Sequence, residues 1–357
     1  ADVETVNLKN STGASTVDLA GLAMATSGKT NTLNVTGNQA LTITTTNADT
    51  TTIDASGMTT GGAVVQQARG ATAASTYTGT LGNDTFIMKN AADVIDGGAG
   101  TGDTLKITQN LILGGVAVNL TLTDDQVTQY NGATNAAVQK GFESIDMSGS
   151  TGAFGADVTA SKNGGSFTLT KNTDNFVGGA GVDLVTYTGG ADVVDLVDDS
   201  SIDNFIVDLL SNVDQPSSSV FELKNFTVNE DILNVDKMGT GNIDAELAAA
   251  AGAVVGGDGA VDTNDFVIVA DSNTAVGGKT IVASNYQDMN AVAQFLGAVV
   301  VEAAGEQYAF LVNDLAADKA YLYDVNSATT TIAAAEVDLI GVISTGTAID
   351  ANDTVIA

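Results

Sequence analysis

Aspartates recur at nine-residue intervals in this chain, and that period constrains the fold more than any other feature. In residues 169–195 the interval separates Asp174, Asp183 and Asp192, and each Asp precedes a large apolar residue by two positions. A repeat this short cannot hold a helix with its own core. It predicts very short strands joined by tight turns, with two repeats to a coil and the apolar residues stacked inside.

Residues 79–105 carry the same pattern. Asp84 and Asp93 are nine residues apart, and Asp103 follows after one extra residue. Glycines accompany the aspartates in both blocks, at Gly97, Gly98, Gly100, Gly178, Gly179, Gly181 and Gly190. Glycine permits left-handed backbone angles and lets carbonyl groups converge on an ion. The alternative interpretation is a set of ordinary Asp- and Gly-rich surface turns.

The amino-acid composition limits which metal ions and which kinds of catalysis these aspartates can support. The chain has no Cys and no His, which removes most zinc, copper and haem sites and the usual catalytic triads. Oxygen ligands remain, and they favour calcium. The net charge of −31 argues against nucleic acid as a partner. We therefore predict calcium as the cofactor, with the aspartates and glycines of both blocks as its ligands.

Strand-like segments flank the blocks. Residues 1–78 and 106–168 alternate apolar and polar positions between turns, as in Leu33-Asn34-Val35, which favours rungs of a solenoid. An antiparallel sandwich is the alternative. We expect a short helix within residues 123–139. After Pro216, residues 245–251 and 288–303 have helical composition.

The predicted fold is all-β, a parallel β-solenoid or β-roll with calcium-binding turns, followed by a smaller C-terminal α+β region. The predicted domains are rungs at 1–78, a first calcium block at 79–105, rungs at 106–168, a second calcium block at 169–205, and a capping domain at 206–357.

The blocks resemble those of RTX proteins, which leave Gram-negative bacteria by type I secretion. Residues 223–235, Leu-Lys-Asn-Phe-Thr-Val-Asn-Glu-Asp-Ile-Leu-Asn-Val, look like the capping segment of that family, D-F-x-x-G-x-D-x-L-D-L. Asp231 keeps its place, and the resemblance makes it a further calcium ligand. Asn225, Asn229 and Asn234 replace the family's Asp, Gly and Asp, so no calcium role is carried over to them.

Segments of the predicted rungs, such as residues 33–43 and 52–58, make the resemblance more specific, because they look like parts of RTX surface-layer proteins. The likeness implies a secreted, self-assembling lattice protein of the cell surface. Residues 307–357 are similar to the family's secretion region, which implies an uncleaved export signal; an ordinary last strand is the alternative. Because the chain begins Ala-Asp-Val, we expect a fragment or processed product. The likeness places lipopolysaccharide binding in an N-terminal region absent from this sequence.

Other functions fit less well. An RTX adhesin, or the calcium-binding tail of another type I secreted protein, is the alternative to a lattice protein. Neither a His-Glu-x-x-His motif nor a Gly-x-Ser-x-Gly elbow is present, and we predict no enzyme and no membrane span. Residues 258–265 resemble the latter half of an EF-hand loop, although Val254 and Gly256 would fall at its first ligand positions and an acidic turn is the simpler interpretation.

Overall fold

The chain forms two compact units, residues 1–171 and 172–357. The coordinates are a computed structural model. It describes residues 4–22, 31–59, 62–68, 73–90, 92–107, 118–123, 126–130, 133–150, 155–208, 219–236, 246–248, 266–269, 279–299, 306–327, 331–350 and 352–356.

The first unit consists of short strands. They are β1 (Thr5–Asn10), β2 (Ser15–Asp18), β3 (Thr32–Gly37), β4 (Leu41–Thr45), β5 (Thr52–Met58), β6 (Val64–Gln66), β7 (Thr76–Thr80), β8 (Thr85–Met88), β9 (Val94–Gly98), β10 (Thr104–Ile107), β11 (Val118–Thr123), β12 (Gln126–Tyr130), β13 (Ala133–Lys140), β14 (Ser144–Asp146), β15 (Ala156–Thr159) and β16 (Gly165–Thr168).

Strands of the first unit alternate between two parallel ladders. One ladder runs β1, β3, β5, β7, β9 and then β13. The other runs β2, β4, β6, β8, β10, β14 and β16. Two strands, one in each ladder, therefore make one coil, and successive coils stack in parallel. This is the solenoid that the alternating sequence predicts, and the sandwich alternative is wrong.

Register aligns the apolar residues of successive coils. Leu33, Ile53, Tyr77 and Ile95 are consecutive partners in the first ladder, and all four are buried. In the second ladder a similar buried row contains Phe86, Leu105, Ile145 and Phe167. Each such side chain contributes roughly 1.5–3 kcal/mol by leaving water.

Residues 123–139 contain strands where the sequence led us to expect a helix. β12 pairs antiparallel with β11 and β13, and β11 also pairs parallel with β15. The helix prediction was wrong because local polarity gave no clear strand alternation, whereas pairing with neighbouring strands determines the conformation.

The second unit repeats the coil and adds a larger cap. Its elements are β17 (Asn175–Val177), β18 (Asp183–Tyr187), β19 (Val193–Asp195), β20 (Asn204–Asp208), β21 (Phe221–Phe226), β22 (Ile232–Asp236), β23 (Glu246–Ala248), β24 (Phe266–Val269), α1 (Met289–Val299), β25 (Glu306–Asp314), β26 (Lys319–Ser327), a 3-10 turn (Ala334–Glu336), β27 (Val337–Thr345) and β28 (Thr354–Ile356).

Parallel pairing again forms two ladders. They are β17–β19–β21–β27 and β18–β20–β22–β28. The coil therefore continues past residue 206, where the sequence places a domain boundary. β27 also begins an antiparallel sheet with β26 and β25, and β24 and β23 extend that sheet in parallel. Residues 246–248 are thus a strand, against the helical composition of 245–251.

Helix α1 covers the sheet of the cap. Val292, Phe295 and Leu296 are buried at helical spacing against Val267, Phe310 and other sheet residues. Before the helix, Asp288 Oδ1 accepts the N–H of Asn290 at 3.1 Å, as an N-cap residue does. No helix among the described residues has both the length and the apolar character needed to cross a membrane.

Candidate metal centre

The nine-residue interval is half a coil, so successive aspartates lie on opposite sides of it. Asp84 and Asp103 directly precede β8 and β10, in one ladder of the first unit, whereas Asp93 precedes β9 in the other. In the second unit Asp183 begins β18, and Asp174 and Asp192 precede strands of the opposite ladder. All six are buried.

Asp84, Asp103 and Glu143 form what we call the first carboxylate row. They occupy equivalent positions on three consecutive coils, since the residues that follow them pair in register. The Asp84 N–H donates to Asp103 Oδ1 at 2.7 Å, and the Asp103 N–H donates to Glu143 Oε2 at 2.9 Å. Each carboxylate thus contacts the backbone of the preceding coil.

Asp183, Asp203 and Asp231 form the second carboxylate row. The Asp183 N–H donates to Asp203 Oδ1 at 2.8 Å, and the Asp203 N–H donates to Asp231 Oδ1 at 3.0 Å. Register again makes the three equivalent on successive coils. Each unit therefore carries a row of three acidic residues in the same structural setting.

Aspartates on the opposite side form shorter arrays. Asp93 Oδ1 accepts the N–H of Ser75 at 2.7 Å, and Asp192 Oδ1 accepts the N–H of Asp174 at 2.8 Å. Beside the second pair, the Tyr187 hydroxyl lies 2.8 Å from the carbonyl oxygen of Gly190. This side therefore presents fewer carboxylates per unit than the rows.

Each turn is also closed by its own aspartate. Asp84 Oδ2 accepts the Thr80 N–H at 2.6 Å, and Asp183 Oδ2 accepts the Gly179 N–H at 2.7 Å. Asp231 Oδ2 accepts the Thr227 N–H at 2.7 Å in the same way. The donor lies four residues before the acceptor each time. Because the carboxylates of Asp84 and Asp231 each bind their own turn and the neighbouring coil, these two side chains are held in one orientation.

Burial and mutual repulsion disfavour the ionised form of three of these aspartates. Burial, with repulsion from Asp84 and Glu143, raises the pKa of Asp103 to about 7. Burial and repulsion from its row neighbours raise the pKa of Asp203 to about 7 as well. Burial raises the pKa of Asp192 further, to about 9. No cationic side chain within the described ranges lowers the pKa of these three carboxyl groups, and a bound cation would supply that positive charge.

Two positions test whether calcium fits. A Cβ atom placed on Gly100 would lie 2.7 Å from the Gly82 carbonyl oxygen and 2.8 and 2.9 Å from the two Asp103 carboxylate oxygens. Only a glycine leaves that space open, and a carbonyl and a carboxylate from adjacent coils border it. Asp103 Oδ2 is buried and has no hydrogen-bond partner among the described residues. Hard oxygens of these two kinds are calcium's preferred ligands, so the residues fit the ion.

Gly190 borders a second space of this kind. A Cβ there would lie 2.2 Å from the Asn172 carbonyl oxygen and 2.8 Å from Asp192 Oδ1, and φ at Gly190 is +104°. The other oxygen, Asp192 Oδ2, is buried and finds no hydrogen-bond partner in the part of the chain that the structure describes. This position therefore also offers a carbonyl and an unsatisfied carboxylate to a cation.

The remaining predicted glycines lie in the same turns. At Gly178 a Cβ would contact the Leu196 carbonyl oxygen at 2.7 Å and Asp183 Oδ2 at 2.9 Å. Gly97 and Gly98 end β9, next to the backbone of Gly141 and Thr80. Gly179 and Gly181 lie in the turn before β18, where only Gly179 donates to the Asp183 carboxylate.

Sequence reasoning missed Glu143 and Asp203. A long insertion separates Glu143 from Asp103, and Asp203 follows Asp192 by eleven residues, so neither keeps the nine-residue interval. Both keep the other half of the pattern. Glu143 lies two positions before the buried Ile145, and Asp203 lies two positions before the buried Phe205. A search for that pair alone would have found them.

Within residues 223–235, two asparagines occupy positions with left-handed backbone angles. Asn225 and Asn229 have φ of +56° and +67°, a region that Asn tolerates better than most residues. Asn229 therefore adopts the turn conformation at little cost, and the Asn225 side chain donates to Asp195 Oδ1 at 2.6 Å. Asn234 lies within β22. The EF-hand-like residues 258–265 lie outside the described residues.

Side chains alone do not complete a site. Within the described ranges, no three His, Cys, Asp or Glu residues are grouped so that they could hold a metal ion. An ion in the rows would therefore draw on backbone carbonyls as well as carboxylates. The chain matches no protein-family model, and no curated protein sequence matches it.

Proposed function

We propose that this chain is a calcium-dependent structural protein that assembles into a bacterial surface layer. The observation that carries the proposal is the pair of carboxylate rows on stacked parallel coils. Five buried aspartates and the partly buried Glu143 make up the two rows, and calcium between coils would turn the repulsion within each row into attraction. Binding energy would then become folding energy.

Two lysines of the first unit pair with carboxylates outside the rows. Lys106 pairs with Asp146 at 3.2 Å, and Lys140 pairs with Asp96 at 2.9 Å. All four residues point outward from the sheets, because they alternate with the buried positions of their strands. These lysines therefore neutralise surface charge, and the rows retain their demand for an external cation.

The role we propose is structural rather than catalytic. Stacked coils present long, regular faces that suit repeated contacts between copies. Because the sequence resembles that of RTX surface-layer proteins, we infer that the copies assemble into a lattice and that calcium is the cofactor. It also supplies the remaining partners: the type I secretion machinery, and cell-surface lipopolysaccharide held by another region.

Calcium would also couple folding to location. The ion is scarce inside cells and abundant outside, so the acidic chain would stay unfolded until exported. Fusing residues 206–357 to a passenger tests the export role. The passenger should reach the medium only when a type I system is present, and export without that system would contradict it.

The central experiment adds calcium to the purified chain in chelator and follows circular dichroism and electron microscopy. We expect strand signal to appear with calcium and two-dimensional sheets to form, whereas magnesium at the same concentration gives neither. Folding without sheets would favour the alternative, an RTX adhesin or the calcium-binding tail of another secreted protein. An identical fold in calcium and in chelator would overturn the proposal.

A further inference from the structure

A polar cleft of about 660 Å³ opens on the second unit, beside the turn that Asp231 of the second carboxylate row closes. Its walls come from the end of β21, the end of β27 and the turn between β25 and β26. The polar residues that line it include Asp198, Asn225, Thr227, Asp318, Ser344 and Thr347. We propose that this cleft binds a neutral hexose, either free or as a unit of a polysaccharide.

Backbone strain is concentrated around this cleft. Among the described residues other than glycine, positive φ occurs at Val197, Asn225, Asn229 and Asp318. Asn225 and Asp318 line the cleft, and Val197 and Asn229 adjoin the lining residues Asp198 and Val228. Strained residues outside glycine cluster at functional sites, because the surrounding structure must hold them in place. For Val197, a β-branched residue, this conformation is particularly unfavourable.

Hydrogen bonds hold the walls of the cleft in place. The Thr345 N–H donates to the Asp318 carbonyl oxygen at 3.1 Å, which joins the turn to β27. The Thr345 hydroxyl donates to the Thr347 carbonyl oxygen at 2.8 Å. The pairing of β21 with β27 shifts register between Leu223 and Phe226, and this irregularity opens the space. A ligand would therefore meet a largely preformed site.

The lining chemistry selects the ligand. Carboxylates, an amide and hydroxyls offer both acceptors and donors, which match the many hydroxyl groups of a sugar. Two carboxylates, on a chain of net charge −31, would repel an anionic ligand. The partly exposed Val228, backed by the buried Phe226, supplies the apolar surface on which a sugar ring can pack. Asp198 and Asp318 are solvent-exposed, so a cation alone would compete with full hydration of both.

The test uses the full chain in calcium and follows binding by saturation-transfer NMR and calorimetry. The probes are glucose, galactose, mannose and N-acetylglucosamine, with dextran as the polymeric arm. We expect at least one probe to bind with Kd on the order of 1 mM, as befits an open site with few contacts. Binding of dextran alone would identify a polysaccharide as the source, and binding of a free sugar would identify the hexose itself.

Two substitutions locate the site. Asp318→Asn keeps the shape and tolerates the same backbone angle, and it should weaken binding roughly tenfold by removing a charged acceptor. Thr347→Ala at an exposed position provides a second variant. The matched control is Asp18→Asn, an exposed carboxylate on the first unit. Absence of binding by all five probes at roughly 50 mM, or unchanged binding in both cleft variants, would overturn the proposal.

The cleft and the rows can fail independently. Calcium-induced folding, read by circular dichroism, should be the same in Asp318→Asn as in the parent chain. Loss of sugar binding with normal calcium response therefore tests the cleft alone, whereas loss of both would show that the substitution damages the fold. In that case Thr347→Ala decides the outcome.

Discussion

The backbone N–H of Asp103 donates to Oε2 of Glu143 at 2.9 Å, although 40 residues separate them in the chain. Between them the chain forms the antiparallel strands β11–β13, of which β13 pairs in parallel with β9 of the coil. Glu143 thus takes the position that an aspartate one coil later would occupy. The longer side chain reaches the same hydrogen-bond donor, so the row continues across the insertion.

Replacing Glu143 with Gln should separate the ion-binding role from the structural one. The amide oxygen can still accept the Asp103 N–H, but the negative charge is lost. We expect the calcium concentration for half-maximal folding to rise roughly tenfold, as for loss of a group near a metal. In chelator the variant should be at least as stable as the parent, because Asp103 no longer faces that charge.

The control for this experiment is Asp96→Asn, which removes an outward-facing carboxylate paired with Lys140. Its calcium midpoint should stay close to that of the parent, since exposed pairs contribute little. An unchanged calcium midpoint in Glu143→Gln would contradict a role in ion binding.

The chelated protein should be more stable in acid than at neutral pH. Burial raises the pKa of Asp103 and of Asp203 from 3.8 to about 7 in the folded state. A raised folded-state pKa means that the folded chain binds more protons than the unfolded chain between these values. The stabilisation is therefore complete below about 4 and is lost as the pH rises through 7.

Circular dichroism in chelator at several pH values measures this dependence. We expect strand signal to be absent at pH 8 and to grow as the pH falls to 5, and the double variant Asp103→Asn, Asp203→Asn to show a shallower dependence on pH. Because general self-repulsion of the acidic chain remains in that variant, the difference between the two slopes isolates the two carboxyl groups. Identical slopes would show that they do not titrate as described.

Gly100→Ala should destabilise the first unit in calcium. Its Cβ would meet the Gly82 carbonyl oxygen and both oxygens of Asp103, so either the coil spacing or the carboxylate must move. We expect a loss of about 2 kcal/mol or more in the free energy of unfolding by urea. Gly149→Ala is the matched control, because nothing lies within 4 Å of its Cβ. It should change stability by less than about 0.5 kcal/mol.

Asn229 should tolerate glycine better than alanine. Its φ of +67° costs an L-residue with a plain Cβ roughly 1 kcal/mol, and Asn reduces that cost. Asn229→Ala should therefore lower the free energy of unfolding by about this amount, while Asn229→Gly leaves it nearly unchanged. Chemical denaturation in calcium compares the two. Equal losses would indicate that the side chain, rather than the backbone angle, matters at this position.

Local pattern was sufficient to predict the coils. Alternation in segments such as Leu33-Asn34-Val35 indicates strands with one buried face, and their close spacing favours stacked rungs. The pairing Leu33 with Ile53 with Tyr77 confirms this. Composition was less reliable where tertiary pairing decides the conformation, as residues 123–139 show.

The sequence by itself determined the repeat: aspartate every nine residues, an apolar partner two positions later, and glycine in the turns. These are local requirements of a half-coil, so they are visible along the chain. Only the tertiary structure decided which acidic residues share a row. Glu143 and Asp203 belong to their rows because each lies one coil away from the preceding acidic residue. Insertions between coils lengthen the sequence interval without changing that distance in space.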